Sequence, residues 1–193
     1  MLVTIEGIDG VGKSTQISLL ADIYKDAIIT KEPGGTNFGN KIREFLLKNS
    51  GKISYKSELL LFLADRAQHY DEIIKPNKNK MIFSDRGFIS GIAYAMANDP
   101  TLDIEKLIKF NEFVLDNDFG DKFIFLKANF DILENRLNLR NLDSIEKRGL
   151  EYLKRVEHYM EILFKNSKFD VLSIDSTLEI QTIHKQILEF IND

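Results

Sequence analysis

The chain has 193 residues, 44% hydrophobic and 29% charged, a length and balance that fit one globular domain with a substantial core. Its formal net charge of -4 carries no basic excess, so bulk nucleic-acid binding is not expected. Cysteine is absent, which excludes disulfides and thiolate metal sites, the longest apolar run (residues 59–64) is too short for a membrane span, and no signal peptide is read before the first strand, so a cytoplasmic protein is expected.

The first predicted strand covers residues 2–6, and the loop after it reads Gly7-Ile8-Asp9-Gly10-Val11-Gly12-Lys13-Ser14. That matches G-x-x-x-x-G-K-[ST] at every fixed position. Glycines allow a tight loop whose backbone N–H groups point at phosphate oxygens, and the helix predicted over 13–25, with Thr15 in its first turn, adds its positive end. Lys13 is placed to reach the outer phosphates of a nucleoside triphosphate, and the Ser14 hydroxyl to ligate Mg²⁺.

A second strand at 27–31 leads into helices predicted over 36–48 and 55–75. In the latter, Phe62 and Arg66 are four apart and share a face. Phe62 alone reads as core packing. Beside a guanidinium it reads equally well as a platform for a base, since an aromatic ring stacks and the fork donates to carbonyl edges. The third strand, 80–84, ends at Asp85-Arg86, where a Mg²⁺-organising carboxylate is expected in P-loop enzymes. The helix predicted over 86–97 would put Arg86, Ser90 and Tyr94 on one face, either as a phosphate-binding stripe or as a helix-start ion pair above a buried Tyr.

Further helices are predicted over 103–116, 130–140 and 143–165, around a fourth strand at 122–127 and before a fifth at 170–174. Asp143 with Glu146, and Ser176 with Glu179, read as helix-start capping pairs. The last helix carries Ile180, Ile183, Ile187 and Ile191 on one stripe. Strands that are apolar on both faces and alternate with helices predict an α/β protein of the P-loop NTPase fold: a five-stranded parallel sheet with helices on both faces, in a single domain spanning 1–193. His69, His158 and His184 form no metal or triad pattern and are expected to be structural or exposed.

A GTPase switch would carry an Asn-Lys-x-Asp segment to read guanine. The nearest stretch, Asn77-Lys78-Asn79-Lys80, lacks the Asp. Arginines near several strand ends point instead to a second phosphorylated substrate, hence a kinase. Another nucleoside monophosphate kinase and a non-catalytic nucleotide-binding switch stand as alternatives.

Taken together, the phosphate loop with Glu6 and Gln16 at its flanks, Lys31-Glu32-Pro33-Gly34-Gly35-Thr36, Leu61-Phe62-Leu63-Ala64-Asp65-Arg66-Ala67-Gln68-His69, and Asp85-Arg86 followed by Ser90 and Tyr94 resemble the thymidylate kinase family over nearly the whole chain. The resemblance implies ATP and dTMP as substrates, Mg²⁺ as cofactor and a homodimer. It implies that Phe62 stacks on thymine, Arg66 binds its O4, and Arg43 and Arg86 hold the monophosphate. Asp9 would lie near the 3′-hydroxyl, Tyr94 near the deoxyribose, and Ser90 near the base edge. Gly10 resembles the bacterial type, whose catalytic arginines come from a lid; Arg136 and Arg140, in a lid at about 136–150, match that pattern, or else form a solvated basic face. The chain departs from the family pattern at Lys31, Asn40, Gly91 and Ala95.

Overall fold

Val3, Thr4, Ile5 and Glu6 are all buried in β1 (Leu2–Glu6), as a strand covered on both faces must be. In the computed structural model, which describes residues 1–49, 51–131 and 148–193, this strand lies at the centre of a parallel sheet. The other strands are β2 (Ile28–Lys31), β3 (Ile82–Asp85), β4 (Lys122–Lys127) and β5 (Asp170–Asp175), in the order β2-β3-β1-β4-β5. Leu2 pairs with Ile82 on one side, and Val3 with Lys122 on the other.

Among the described residues the α-helices are α1 (Lys13–Ile23), α2 (Asn37–Asn49), α3 (Tyr55–His69), α4 (Phe88–Asn98), α5 (Ile104–Val114), α6 (Leu150–Lys165) and α7 (Ile180–Asn192). From β1 the chain crosses by α1 to the far edge strand β2. Every later crossover runs the opposite way along the sheet. Right-handed crossovers in opposite directions put their helices on opposite faces. The packing agrees: α1 meets α7, whereas α4 meets α3, α5 and α6. Helix α4 is therefore buried nearly all round, and its small residues Gly91, Ala93, Ala95 and Ala97 let its neighbours come close. Below it Phe123 packs against the rings of Phe88, Phe164 and Phe169, at centroid separations of 5.9, 5.8 and 5.0 Å.

Three expectations change. The helix predicted over 55–75 is α-helical only to His69. It continues as a π-helical turn, Tyr70–Ile74, and a 3₁₀ turn, Lys75–Asn77, because Pro76 removes a backbone donor. The helix predicted over 143–165 begins at Leu150, since Gly149 adopts φ 95°, outside the helical region. The predicted Ser176 cap does not form: α7 starts at Ile180 after Glu179, with no side-chain cap, and Ile180 is exposed while Ile183, Ile187 and Ile191 are buried. Asp143 and Glu146, and most of the helix predicted over 130–140, lie outside the described residues.

Candidate active site

In a sheet of this order the crevice lies between β1 and β3, whose following helices leave to opposite faces. The phosphate loop fills one side of it. Gly7 has φ 142°, and a Cβ there would sit 2.6 Å from the carbonyl oxygen of Leu126, so no other residue allows this approach to β4. No side chain caps α1 after Gly12, which leaves its first-turn N–H groups for an anion. The Lys13 ammonium donates to the Ile8 carbonyl at 2.9 Å. Burial, and then the charge of Arg86, pull its pKa down to about 8 against the opposing pull of Asp9, Asp85 and Glu6.

Asp85 Oδ1 is buried and has no hydrogen-bond partner among the described residues. Asp85 lines the same cavity as Ser14, which is exposed at the start of α1. An unsatisfied carboxylate oxygen and a hydroxyl on residues of one cavity are the hard oxygen donors that Mg²⁺ takes, so these residues fit that ion.

Arg86 was expected to open α4. Instead it precedes the helix in the left-handed region, φ 71°, and α4 starts at Phe88. A non-glycine residue in a sparsely populated conformation costs about 1–3 kcal/mol and persists only where its surroundings hold it. Its N–H donates to Ile5 (3.0 Å) and its carbonyl accepts from the Ser84 hydroxyl (2.8 Å). Its guanidinium donates to Gly7 (2.6 Å), Ser90 (3.1 Å) and Asp9 (2.7 Å). The backbone turn thus aims the guanidinium back over the phosphate loop, which a helical Arg86 would not do. Arg86, Ser90 and Tyr94 still meet, but through this turn; the guanidinium lies 5.4 Å from the Tyr94 ring centre.

Asp9 accepts from Arg86 on one oxygen and from the Tyr94 hydroxyl on the other, at 3.1 Å. Burial alone would raise its pKa, but the charges of Arg86 and Lys13 outweigh that and hold it well below the carboxylate range. Burial, with the nearby Asp9 charge adding to it, pushes the Tyr94 phenol well up despite Arg86, so it stays a donor. Ser90 lines the second cavity, yet its hydroxyl donates to Glu6 Oε2 and accepts from Arg86. Glu6 Oε1 also accepts from the N–H groups of Gly87 (3.0 Å) and Ser90 (3.3 Å), so a strand residue caps the start of α4.

The second cavity lies beside the first. Phe62, Arg66, Arg43, Gly91 and Tyr94 line it, with Leu46 and Leu47 of α2 as apolar wall. Arg43 donates to the Pro33 carbonyl at 3.2 Å. Arg66 is 3% exposed and its guanidinium is held on three sides, by Glu32 Oε2 (2.8 Å), Asn111 Oδ1 (2.8 Å) and the Gly87 carbonyl (3.0 Å). Glu32 Oε1 accepts from His69 Nδ1 at 2.9 Å, and His69 Nε2 lies 2.6 Å from the Thr30 hydroxyl. Burial would raise the Glu32 pKa; Arg66 and His69 overcome it, and the group stays a carboxylate.

Asp9, Arg43, Phe62, Arg66, Arg86, Ser90 and Tyr94 are therefore brought together, next to Lys13, Ser14 and Asp85. Arg136 and Arg140 lie outside the described residues. Sequence reasoning gave no role to Glu6, Glu32 or Asn111, and expected His69 only as a structural or exposed histidine. His69 could have been found three residues after Arg66, on the same helix face. Asn111 could have been found as a polar residue four after Leu107 on the buried face of α5, and both are indeed buried.

The two cavities share Asp9, Glu32, Arg43 and Arg86. A P-loop cavity that opens onto a second pocket across two arginines defines a phosphotransferase, built to bring two phosphorylated ligands together. Comparison with known proteins narrows the class. A family profile described as thymidylate kinase matches residues 5–187. A thymidylate kinase of Campylobacter fetus subsp. fetus is 57% identical over 192 residues, covering 99% of this chain and 100% of that one. One from Campylobacter concisus is 54% identical over 194 residues, covering 100% and 99%. The crystal structure of thymidylate kinase from Ehrlichia chaffeensis superposes with a TM-score of 0.78 at 28% identity, covering 100% of this chain and 98% of that one. The chain belongs to the thymidylate kinase family.

Proposed function

We propose that the chain transfers the γ-phosphoryl group of ATP to the 5′-phosphate of dTMP, giving dTDP and ADP on the way to dTTP, as a single-domain cytoplasmic homodimer. The observation that carries this reading is the meeting of the two cavities at Arg43 and Arg86. ATP occupies the phosphate loop, Gly7 to Thr15, with Lys13 on its outer phosphates. The acceptor lies in the second cavity, with its base against Phe62 and Arg66, its sugar near Tyr94 and Asp9, and its phosphate between Arg43 and Arg86.

The acceptor needs no general base. A phosphate monoester has its second pKa at about 6 and is largely dianionic at neutral pH. The difficulty is bringing two anions into line, and the protein's part is positioning and charge neutralisation. Lys13 and Arg86, aimed across the same gap, supply fixed positive charge. Bound Mg²⁺, held by Asp85 and Ser14, would neutralise and orient the triphosphate. Arg136 and Arg140 add charge from the lid at about 136–150. The cytoplasmic location is a reading from the substrates, ATP and dTMP.

The homodimer reading is supported by exposed apolar side chains on helices that pack side by side: Phe38 and Phe45 on α2, Leu60 on α3, Phe110 and Phe113 on α5. The reaction is tested by coupled ADP release with ATP, Mg²⁺ and each nucleoside monophosphate in turn. Turnover with dTMP far above the others is expected. Preference for another monophosphate would overturn the thymidine assignment, and ATP binding without acceptor-dependent turnover would overturn the kinase.

A further inference from the structure

Helices α3 and α4 pack along a common seam and are tied at both ends of it. At one end Arg66 of α3 donates to the Gly87 carbonyl, just before α4 begins. At the other end Asn98, the last residue of α4, donates from its amide to Glu58 Oε1, in the first turn of α3, at 3.0 Å. The two helices are therefore antiparallel. Between the ties lie Phe62, four residues after Glu58, and Tyr94, four before Asn98, and both line the second cavity.

The far tie is built round a charge from outside both helices. Arg148, just before α6, donates from Nη2 to Glu58 Oε2 at 2.8 Å and from Nη1 to Asn98 Oδ1 at 2.7 Å. Nη1 also lies 3.3 Å from Glu58 Oε1 and 3.0 Å from the Tyr152 hydroxyl. Arg148, Glu58 and Asn98 are thus each bonded to the other two. The amide is fixed in one sense, its oxygen to the guanidinium and its nitrogen to the carboxylate. Glu58 is 5% exposed, and a carboxylate that deep is costly without its partners, so the three residues act as one unit. Tyr152 carries the contact on to the cavity wall: its ring meets the Tyr94 ring edge-on, at a centroid separation of 6.1 Å. None of Glu58, Asn98, Arg148 and Tyr152 lines either cavity.

We propose that Arg148 is a positioning residue for the acceptor nucleoside: by joining Glu58 of α3 to Asn98 of α4 it fixes the spacing of the two helices, and with it the gap between Phe62 and Tyr94 that the nucleoside fills. This rests on the reading of the second cavity as the dTMP site. The acceptor phosphate and the triphosphate are met by Arg43, Arg86 and Lys13, which the brace does not touch. The brace therefore bears on one part of one substrate.

The test is steady-state kinetics of the full chain as wild type, Arg148→Met and Asn98→Ala, with each fold checked by thermal unfolding. Three quantities are compared: the KM for dTMP, the KM for ATP, and the inhibition constant of thymidine, the same nucleoside without its phosphate, against dTMP. Asn98→Ala leaves the Arg148–Glu58 ion pair in place and removes only its tie to α4, and alanine suits a helix, so this variant reports even if Arg148→Met does not fold. Both variants are expected to raise the KM for dTMP and the inhibition constant of thymidine by the same factor, roughly tenfold, given that a misplacement of about 1 Å can cost about 100-fold. The kcat and the KM for ATP should stay unchanged, as for a loss of binding shared by ground and transition states. A folded Asn98→Ala with unchanged thymidine inhibition, or one that loses dTMP and ATP alike, would overturn the inference alone. Thymidine that does not compete with dTMP in the wild type would overturn the reading of the cavity, and the inference with it.

Discussion

Arg86 shows how much one backbone conformation decides. At φ 71° its side chain turns back onto Gly7 and Asp9, where it borders both cavities. The strain is sustained because five hydrogen bonds hold the residue. Lys13 is another positive charge lining the phosphate-loop cavity, and its pKa of about 8 carries a consequence. Above about pH 8 the free protein loses this positive charge, whereas a bound triphosphate favours the charged form and draws the proton back. Binding then takes up a proton, and linkage makes affinity fall as pH rises. The dissociation constant of a non-hydrolysable ATP analogue is expected to rise several-fold between about pH 7.5 and pH 9. Isothermal titration across that range checks it; a flat profile would remove Lys13 titration from the account.

At the scale of elements, α6 packs against α4 and meets the end of β4 through one buried carboxylate. Glu157 is 6% exposed and accepts from the Ala128 N–H at 2.9 Å. Burial pushes its pKa up to about 7 against that hydrogen bond, with Glu161 adding to the rise and Lys127 opposing it. Its folded pKa exceeds its unfolded one, so the folded state binds the extra proton. Its stabilising effect is complete below about pH 4.5 and is lost as pH rises through about 7. Glu157→Gln keeps an acceptor for Ala128 and removes the charge. It is expected to unfold at higher urea than wild type at about pH 8, by about 1–3 kcal/mol, and to match it near pH 4.5. Equal stability at both pH values would show that Glu157 is solvated in the folded state.

Elements also explain why the site lies where it does. Glu6 caps α4 from β1, and the Arg66 network ties α3 and α5 to the turn between β3 and α4. The residues that line the two cavities therefore share one frame. A shift of α4 would move Ser90, Gly91 and Tyr94 together.

At the scale of the molecule, α2, α3 and α5, which pack side by side, expose Phe38, Phe45, Leu60, Phe110 and Phe113, the last 84% exposed. Aromatic side chains in such number on one layer are costly in water and suit a second copy of the chain. Light scattering on a size-exclusion column is expected to give twice the chain mass, 22.2 kDa per chain, for wild type and a single chain mass for Phe113→Glu. A monomeric wild type would overturn the dimer.

Much was legible in the sequence because it is local. The phosphate loop is a contiguous run, and its conformation follows from glycines at set spacing. Most of the strands declare themselves as short runs with apolar side chains on both faces, and their alternation with helices dictates a parallel sheet. Phe62 and Arg66 share a helix face by spacing alone. Other features came only from the tertiary structure. Whether Arg86 was helical depended on Glu6, a residue 80 positions earlier, taking over the cap of α4. That the Ser90 hydroxyl turns inward depended on the same carboxylate. Glu32, Arg66, His69 and Asn111 come from three separate parts of the chain and meet because the sheet order and helix packing bring them within hydrogen-bond range. By itself the sequence determined the fold class, the family and the phosphate loop as a contiguous motif, since these rest on local spacing. How the side chains of the site are held was decided by buried polar groups finding partners far away in the chain, because a polar group taken out of water must be paired wherever the fold puts it.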